Sequence, residues 1–295
     1  MKILVTGAAG FIGHHLVRHL LDGGHDVIGL DIESMDDLQI PRIIADITKA
    51  EKMRGVAADF EAVGGIDAVV HLAAIASPPI AQKNPEKAWA TNVQGTHNVL
   101  QLMHEIGCKR IVFFSSAHVY GISPKYMPTD ENHPLALHDT YTTTKIMGEA
   151  LCRLFYENHG IAYTVLRLWN AYGPGQSPDY FIGKKISQAR AGALTLRNEA
   201  VTKDWVHVSD VVRATSLALA SDYVGPLNVG TGVETSLRQI VGFLSEKFSV
   251  DVTKEDVPDE GPTRMQCDWR RIKTTLGWEP TIRFEDGLQE LIGQS

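Results

Sequence analysis

Tyr141 and Lys145 stand four residues apart in the run Tyr-Thr-Thr-Thr-Lys, a spacing that puts both on one face of a helix. A free tyrosine ionises at about pH 10, too high for a base in neutral solution. A lysine ammonium beside it favours the phenolate and lowers that value, so the two form a candidate proton-transfer pair. The same spacing is common on solvated helix faces, and it gains meaning only from company. Ser115-Ser116 supplies that company at the end of a β-branched run. In parallel sheets, ligand-binding groups gather at the carboxyl ends of strands. A serine hydroxyl there can bond both a substrate oxygen and the tyrosine.

A second set of residues could hold a dinucleotide. The loop Gly7-Ala-Ala-Gly10-Phe-Ile-Gly13 follows a strand-like Ile3–Thr6 and opens a helical pattern. The first glycine makes the tight turn, and the second lets backbone approach a pyrophosphate. The third lets helix pack on strand, while the helix N-terminus offers unpaired N–H groups to the phosphates. Asp31 closes the next strand. A carboxylate there can accept both ribose hydroxyls and would repel a 2′-phosphate, which favours NAD over NADP; the competing reading is a simple turn cap. Asp46-Ile47, at the end of a further strand-like run, could hold the adenine edge.

These residues need a scaffold, and the hydrophobic pattern describes one. Runs at Lys2–Thr6, Asp26–Asp31, Ala68–Leu72, Arg110–Ser115 and Ala162–Trp169 read as strands. Phe11–Asp22, Pro85–Ile106 and His138–His159 read as helices between them. Alternation of this kind predicts an α/β fold with a doubly wound, Rossmann-type parallel sheet covered on both faces. After Gly173-Pro-Gly175 the segments shorten, with strand-like Val206–Val208 and Leu227–Val229 and helical Leu237–Lys247. The expected organisation is a dinucleotide-binding domain over 1–170, joined by some later segments, and a smaller C-terminal α/β lobe over 171–295. A ligand would lie between them. The polar, turn-rich Glu255–Gln266 is expected to be a surface loop or a rim over the cleft.

The chain has 295 residues, 44% of them hydrophobic, and a net charge of −7. That balance suits a folded enzyme-sized protein and argues against nucleic acid or an anionic membrane as partner. Cys108, Cys152 and Cys267 are odd in number and far apart, without a CxxC or Cys/His cluster, so no metal site is expected. Reduced thiols fit a cytoplasmic protein. Met1–Val5 reads as a strand rather than a leader, and no run of 18 apolar residues could span a membrane.

Taken in order, VTGAAGFIG (5–13), HLAA (71–74), TNVQGT (91–96), SSAHVYG (115–121), YTTTK (141–145), LRLWNAYGPGQ (166–176), KDWVHVSDV (203–211), NVGTG (228–232) and LGWEP (276–280) resemble the extended short-chain dehydrogenase/reductase family. Its members include NDP-sugar epimerases, dehydratases and 4-ketoreductases. The resemblance implies an NAD site lined by Gly7, Gly10, Phe11, Ile12, Gly13, Asp31, Ile32, Asp46, Ile47, Leu72, Ala73, Ala74, Asn92 and Ser115. It implies Tyr141 as general base or acid, Lys145 as its pKa partner and ribose ligand, and Ser116 as the substrate-hydroxyl partner. It also implies a homodimer paired through two long helices. Ile146, Met147, Ala150, Leu151 and Leu154 could serve that interface or the sheet.

Departures from the family pattern narrow the chemistry. Dehydratases of the family place an Asp-Glu pair after the hydroxyl residue, and the decarboxylases also place an acid there; here the positions are Ala117 and His118. His118 could touch the sugar, titrate near neutrality, or be an ordinary hydrogen-bonded second-layer histidine. Lys203 stands where an arginine is usual, Phe181 replaces an expected asparagine ahead of Lys184 and Lys185, and Arg264 is the nearest candidate for a second arginine. With Asn170 these complete the candidate substrate contacts. The expectation is an NAD-dependent epimerase of a nucleotide sugar, UDP-glucose 4-epimerase-like. The alternatives are an NAD(P)H-dependent 4-keto-sugar reductase and, in another class, an inactive nucleotide-binding scaffold.

Overall fold

The apolar runs are continuous because the strands are buried on both faces. In the computed structural model, which describes residues 1–62, 64–255 and 263–293, the first part of the chain alternates strand and helix. It runs β1 (Lys2–Thr6), α1 (Phe11–Asp22), β2 (Asp26–Asp31), β3 (Arg42–Ile44), α2 (Ala50–Ala62), β4 (Ala68–His71), α3 (Pro78–Lys83), α4 (Pro85–Trp89), α5 (Thr96–Glu105), β5 (Arg110–Ser116), α6 (Thr140–His159) and β6 (Ala162–Leu168). The remainder runs β7 (Asn170–Tyr172), α7 (Phe181–Arg190), β8 (Leu194–Arg197), β9 (Thr202–His207), α8 (Val208–Leu219), β10 (Gly225–Val229), β11 (Glu234–Ser236), α9 (Leu237–Phe248), β12 (Val252–Glu255), α10 (Arg270–Leu276) and α11 (Phe284–Gly293).

Seven strands form one sheet in the order β10-β6-β5-β4-β1-β2-β3, every neighbouring pair parallel. Alternate side chains of β1 serve opposite cores. Ile3 and Val5 join Leu16, Val17 and Leu20 of α1 and Val211 and Ala218 of α8. Leu4 joins Val99, Leu100 and Met103 of α5 and Cys152 and Phe155 of α6. The order reverses between β1 and β4, and the crevice beyond the carboxyl ends of such a pair is where doubly wound sheets bind ligands.

A third core gathers Ile182 and Ile186 of α7, Leu194 and Leu196 of β8, Ile240 and Leu244 of α9, and Leu288 of α11. Beside it, β11-β9-β7 and β12-β8 make two small sheets. The chain passes repeatedly between the two regions: α8 and β10 return to the large sheet after β7, α7, β8 and β9 have left it, and α10 returns again between α9 and α11.

The elements depart from the sequence expectation where side chains intervene. The single helix expected over 85–106 is α4 and α5 joined by a wide π turn, Ala90–Gly95. There Asn92 turns inward and Gly95 gives way to Ile47, whose Cδ1 lies 2.6 Å from where a β-carbon would sit. α6 starts at Thr140 because Asp139 caps it, accepting from the Thr142 N–H at 2.7 Å. Val208 begins α8 instead of ending a strand. Most of the Glu255–Gln266 rim lies outside the described residues; Met265 at its end is buried against Trp169 and Cys267. Among the described residues no helix is long and apolar enough to cross a membrane. Cys108, Cys152 and Cys267 are all buried and unbridged.

Candidate active site

The glycine loop is shaped by contacts that only hydrogen permits. Gly7 has φ +72°, and a β-carbon there would stand 2.6 Å from Ala73 N, so loop and β4 touch through backbone. A β-carbon on Gly13 would meet Gly7 O at 2.3 Å, which seats α1 on the loop. Gly10 differs: its β-carbon would approach only Gly7 O, at 3.2 Å. It is also the N-cap of α1 and makes no side-chain cap, so the first-turn amides, just beyond the carboxyl end of β1, have no side chain capping them. That cradle fits a pyrophosphate. Phe11 sets its ring edge-on to His15, and Ile12 packs on the sheet core.

Asp31 makes the contacts that the turn-cap reading expects. Oδ2 accepts from Ala9 N at 2.9 Å, and Oδ1 accepts from Ile32 N at 2.7 Å and Glu33 N at 3.2 Å. These three amides tie the carboxylate to the loop and aim it. Asp46 accepts from Thr48 N. Its neighbour Ile47 does not face the cleft, since its side chain is in the core and its carbonyl accepts from Asn98. Ile32 is exposed, Leu72 and Ala73 line opposite cores as β4 ends, and Ala74 follows half-buried.

Ser116, Tyr141 and Lys145 come together at the end of β5. Ser116 caps the short 3-10 turn Ala117–Tyr120 by accepting from His118 N, and its side chain lies close enough to Tyr141 to favour the phenolate. Lys145 Nζ lies 6.0 Å from the Tyr141 ring centre and donates to Phe114 O at 2.8 Å. The expected lowering of the tyrosine is absent. Burial pushes the phenol up to about 12, and the nearby Ser116 side chain offsets only part of that. Lys145 itself is pushed down to about 8 by burial, opposed by Glu149. Desolvation dominates at both groups and shifts each towards its neutral form, which leaves Lys145 an ammonium and Tyr141 a phenol at neutral pH.

Two residues expected at the cofactor spend their side-chain hydrogen bonds within the protein. Ser115 donates to Glu149 Oε1 at 2.6 Å, on the face of β5 opposite Ser116. Glu149 in turn holds Arg167 through two hydrogen bonds of 3.1 and 2.7 Å. Asn92 bonds Ile75 through both N–H and C=O and donates its other amide hydrogen to Thr144 Oγ1, so it braces the β4 loop against α6. His71 is equally buried, bridging Thr6 and Thr96, and burial holds it neutral with a pKa of about 3.

The opposite wall is built around Asp204, which is fully buried. Its carboxylate accepts from Thr231 N and Oγ1, Gly232 N and Cys267 N, fastening the Asn228–Gly232 turn and the 265–268 segment to β9. Lys203, next along β9, is close enough to help depress His118 and reaches Met265 Sδ at 3.7 Å. Asn170 donates to Asp204 O at 3.1 Å. Ala117 is buried, and His118 stands edge-on to Tyr141 with ring centres 6.0 Å apart. Burial lowers His118 to about 4 and Nδ1 has no hydrogen-bond partner among the described residues. Neither titration near neutrality nor an ordinary hydrogen-bonded histidine describes it. Arg264 is committed to Glu234 in a two-pronged pair and Lys184 is exposed, so neither is a dedicated anion fork in this geometry. Lys185 is a strut to Thr195 and Gln188. Phe181 stacks on Trp205.

Sequence reasoning missed Glu149, Arg167 and Asp204. Glu149 continues the Tyr141, Lys145 spacing by one more turn, and an arginine inside the apolar run 165–169 must be paired. Nothing in the sequence singled out Asp204 over its neighbours.

The chain belongs to the NAD dependent epimerase/dehydratase family, whose model matches residues 3–230. It is 32% identical to a putative UDP-glucose 4-epimerase of Methanocaldococcus jannaschii over 98% of this chain and 97% of that one. The UDP-glucose 4-epimerase of Thermotoga maritima, solved with UDP-glucose, superposes with a TM-score of 0.92 at 29% identity, covering 99% of this chain and 97% of the other. The UDP-glucose 4-epimerase of Thermus thermophilus, solved in complex with NAD, gives 0.91 at 26% identity over the full length of both.

Proposed function

We propose that this chain is an NAD-dependent epimerase of nucleotide sugars, inverting a ring carbinol such as C4 of UDP-glucose. The observation that carries the reading is Ser116 close beside Tyr141 at the end of β5, with Lys145 Nζ 6.0 Å from the tyrosine ring, in a chain whose glycine loop leads into α1 through the N-cap Gly10. NAD fits that loop and Asp31, and when bound it supplies a hydride acceptor that can return what it takes. Tyr141 removes the sugar hydroxyl proton and later restores it, so no net proton or electron is consumed. Ser116 holds the same hydroxyl, and Lys145 supplies positive charge beneath the phenolate. Ala117 and His118 provide no carboxylic acid for elimination or decarboxylation.

Residues 171–295 form most of the substrate-binding lobe in this reading, with Lys203, Asn170 and His118 reaching the sugar. The protein is placed in the cytoplasm as a homodimer. The face of α6 supports pairing, since Met147, Ala150 and Leu154 are exposed while Ile146 and Leu151 pack inward. Incubation with UDP-glucose and other NDP-hexoses, without added cofactor, should yield C4 epimers, and protein denatured for mass spectrometry should release NAD. Stoichiometric consumption of NAD(P)H by a 4-keto-sugar would establish the reductase instead. If no NDP-sugar binds or reacts, the proposal is wrong.

A further inference from the structure

His118, His138 and Asp139 each bring one ligand-type atom within 4.8 Å of the other two, at the edge where β5 ends and α6 begins. His118 follows the catalytic serine in the chain, and the other two precede the catalytic tyrosine. We propose that they form a site for a divalent transition-metal ion of the zinc class, beside Tyr141.

The donor set suits that class. Two imidazoles and one carboxylate bind Zn²⁺, Co²⁺ or Ni²⁺ well, and three protein ligands leave a fourth position for water or substrate. Ligands at about 2.0–2.1 Å around a tetrahedral ion stand about 3.3 Å from one another. His138 Nε2 and Asp139 Oδ2 are already 3.2 Å apart, and His118, within 4.8 Å of both, need close in by at most about 1.5 Å.

The surroundings orient two of the ligands. His138 Nδ1 points to Ala136 O at 3.4 Å, an outer contact that leaves Nε2 between the carboxylate at 3.2 Å and Thr142 Oγ1 at 3.4 Å, a weak contact that an ion would replace. Asp139 Oδ1 is taken by the Thr142 N–H, which leaves Oδ2 for the ion. His118 supplies the independent sign of a ligand. Its ring stands against the active-site tyrosine, and its Nδ1 is buried with no partner among the described residues. A histidine serving only the core would have that nitrogen satisfied. An ion held here stands next to the Tyr141 ring and changes the space in which a substrate hydroxyl would meet it.

The test uses the full chain, stripped with a chelator and titrated with Zn²⁺ by calorimetry and with Co²⁺ by visible spectroscopy. One equivalent should bind, and His118→Ala, His138→Ala and Asp139→Asn should each weaken it at least tenfold. Asn caps helices as well as Asp does, so Asp139→Asn should keep the wild-type circular dichroism and unfolding midpoint. Absence of Zn²⁺ binding by the wild type overturns the proposal. So does binding that His138→Ala and Asp139→Asn leave unchanged, which would place the ion elsewhere.

Discussion

Ser115 and Ser116 are neighbours in the chain and serve opposite faces of β5. Ser115 donates to Glu149 at 2.6 Å, while the side chain of Ser116 accepts from His118 N and lies beside Tyr141. The strand period of two makes this division unavoidable. One hydroxyl joins the reacting groups, and the other begins a buried polar chain through Glu149, Arg167 and Tyr120 to Asn228. That chain backs α6 onto the sheet and so fixes the helix that carries Tyr141 and Lys145.

Glu149→Gln should therefore be costly. The Arg167 and Glu149 side chains are only 6% and 10% exposed, and removing one partner of such a pair typically costs about 3–5 kcal/mol. Arg167 keeps Tyr120, which favours the lower end. Ser115→Ala should cost about 1 kcal/mol, the net worth of one hydrogen bond. Urea unfolding of both single variants and the double variant measures this, and additive losses would show that Ser115 and Glu149 are not coupled.

Tyr141 should change its ionisation when the cofactor enters. Without it, burial holds the phenol at about 12, out of range for a base. Oxidised nicotinamide adds positive charge nearby and should pull that value down. The Tyr141 part of the ultraviolet phenolate titration, isolated by subtracting Tyr141→Phe, should move to lower pH when NAD⁺ is added. An unmoved titration would exclude Tyr141 as the base. Turnover of Tyr141→Phe should fall by about 10²–10⁴-fold with NAD retained.

The glycine loop, the strand–helix alternation and the Ser116, Tyr141, Lys145 set were legible because each depends on local spacing. Gly7 is required by its own φ and by one backbone approach, and a helix places i and i+4 together whatever surrounds it. What escaped was set by contacts between distant segments. Asn92 and Ser115 have the types of cofactor ligands, but Thr144 and Glu149 claim them. Arg264 has the type of a phosphate ligand, but Glu234, on the short strand β11, pairs with it. The balance between burial and charge at Tyr141 was also illegible, because desolvation depends on everything packed around the pair.

Asp31→Asn separates cofactor recognition from turn capping. Asn keeps the Oδ1 bonds to Ile32 and Glu33 but can set an NH₂ group against the Ala9 N–H, and it removes the charge that repels a 2′-phosphate. NAD binding should weaken by about tenfold, roughly 1.4 kcal/mol, while NADP binding holds or improves. Fluorescence titration of the stripped protein with both cofactors gives the ratio. If both weaken equally, Asp31 only holds the turn.

Lys145→Met should stabilise the cofactor-free protein near neutral pH while abolishing its activity. The lysine is held at about 8 in the folded chain against 10.5 for an unperturbed lysine. Below pH 8 both states are protonated, and the folded state carries the full cost of the buried charge. As pH rises from 8 towards 10.5 the unfolded chain retains its proton longer than the folded one, so wild-type stability should rise in that window. Each pKa unit is worth about 1.4 kcal/mol, which bounds the gain at roughly 3 kcal/mol. The loss of the Nζ bond to Phe114 O opposes it, leaving that carbonyl without its donor. The difference between variant and wild type is thus the informative quantity. It should be largest at pH 7, narrow between pH 8 and 10, and follow the lysine rather than the tyrosine, whose pKa is raised to about 12 and whose effect has the opposite sign above pH 10. Denaturant unfolding across that range measures it. A difference independent of pH would mean that Lys145 is not buried as an ammonium.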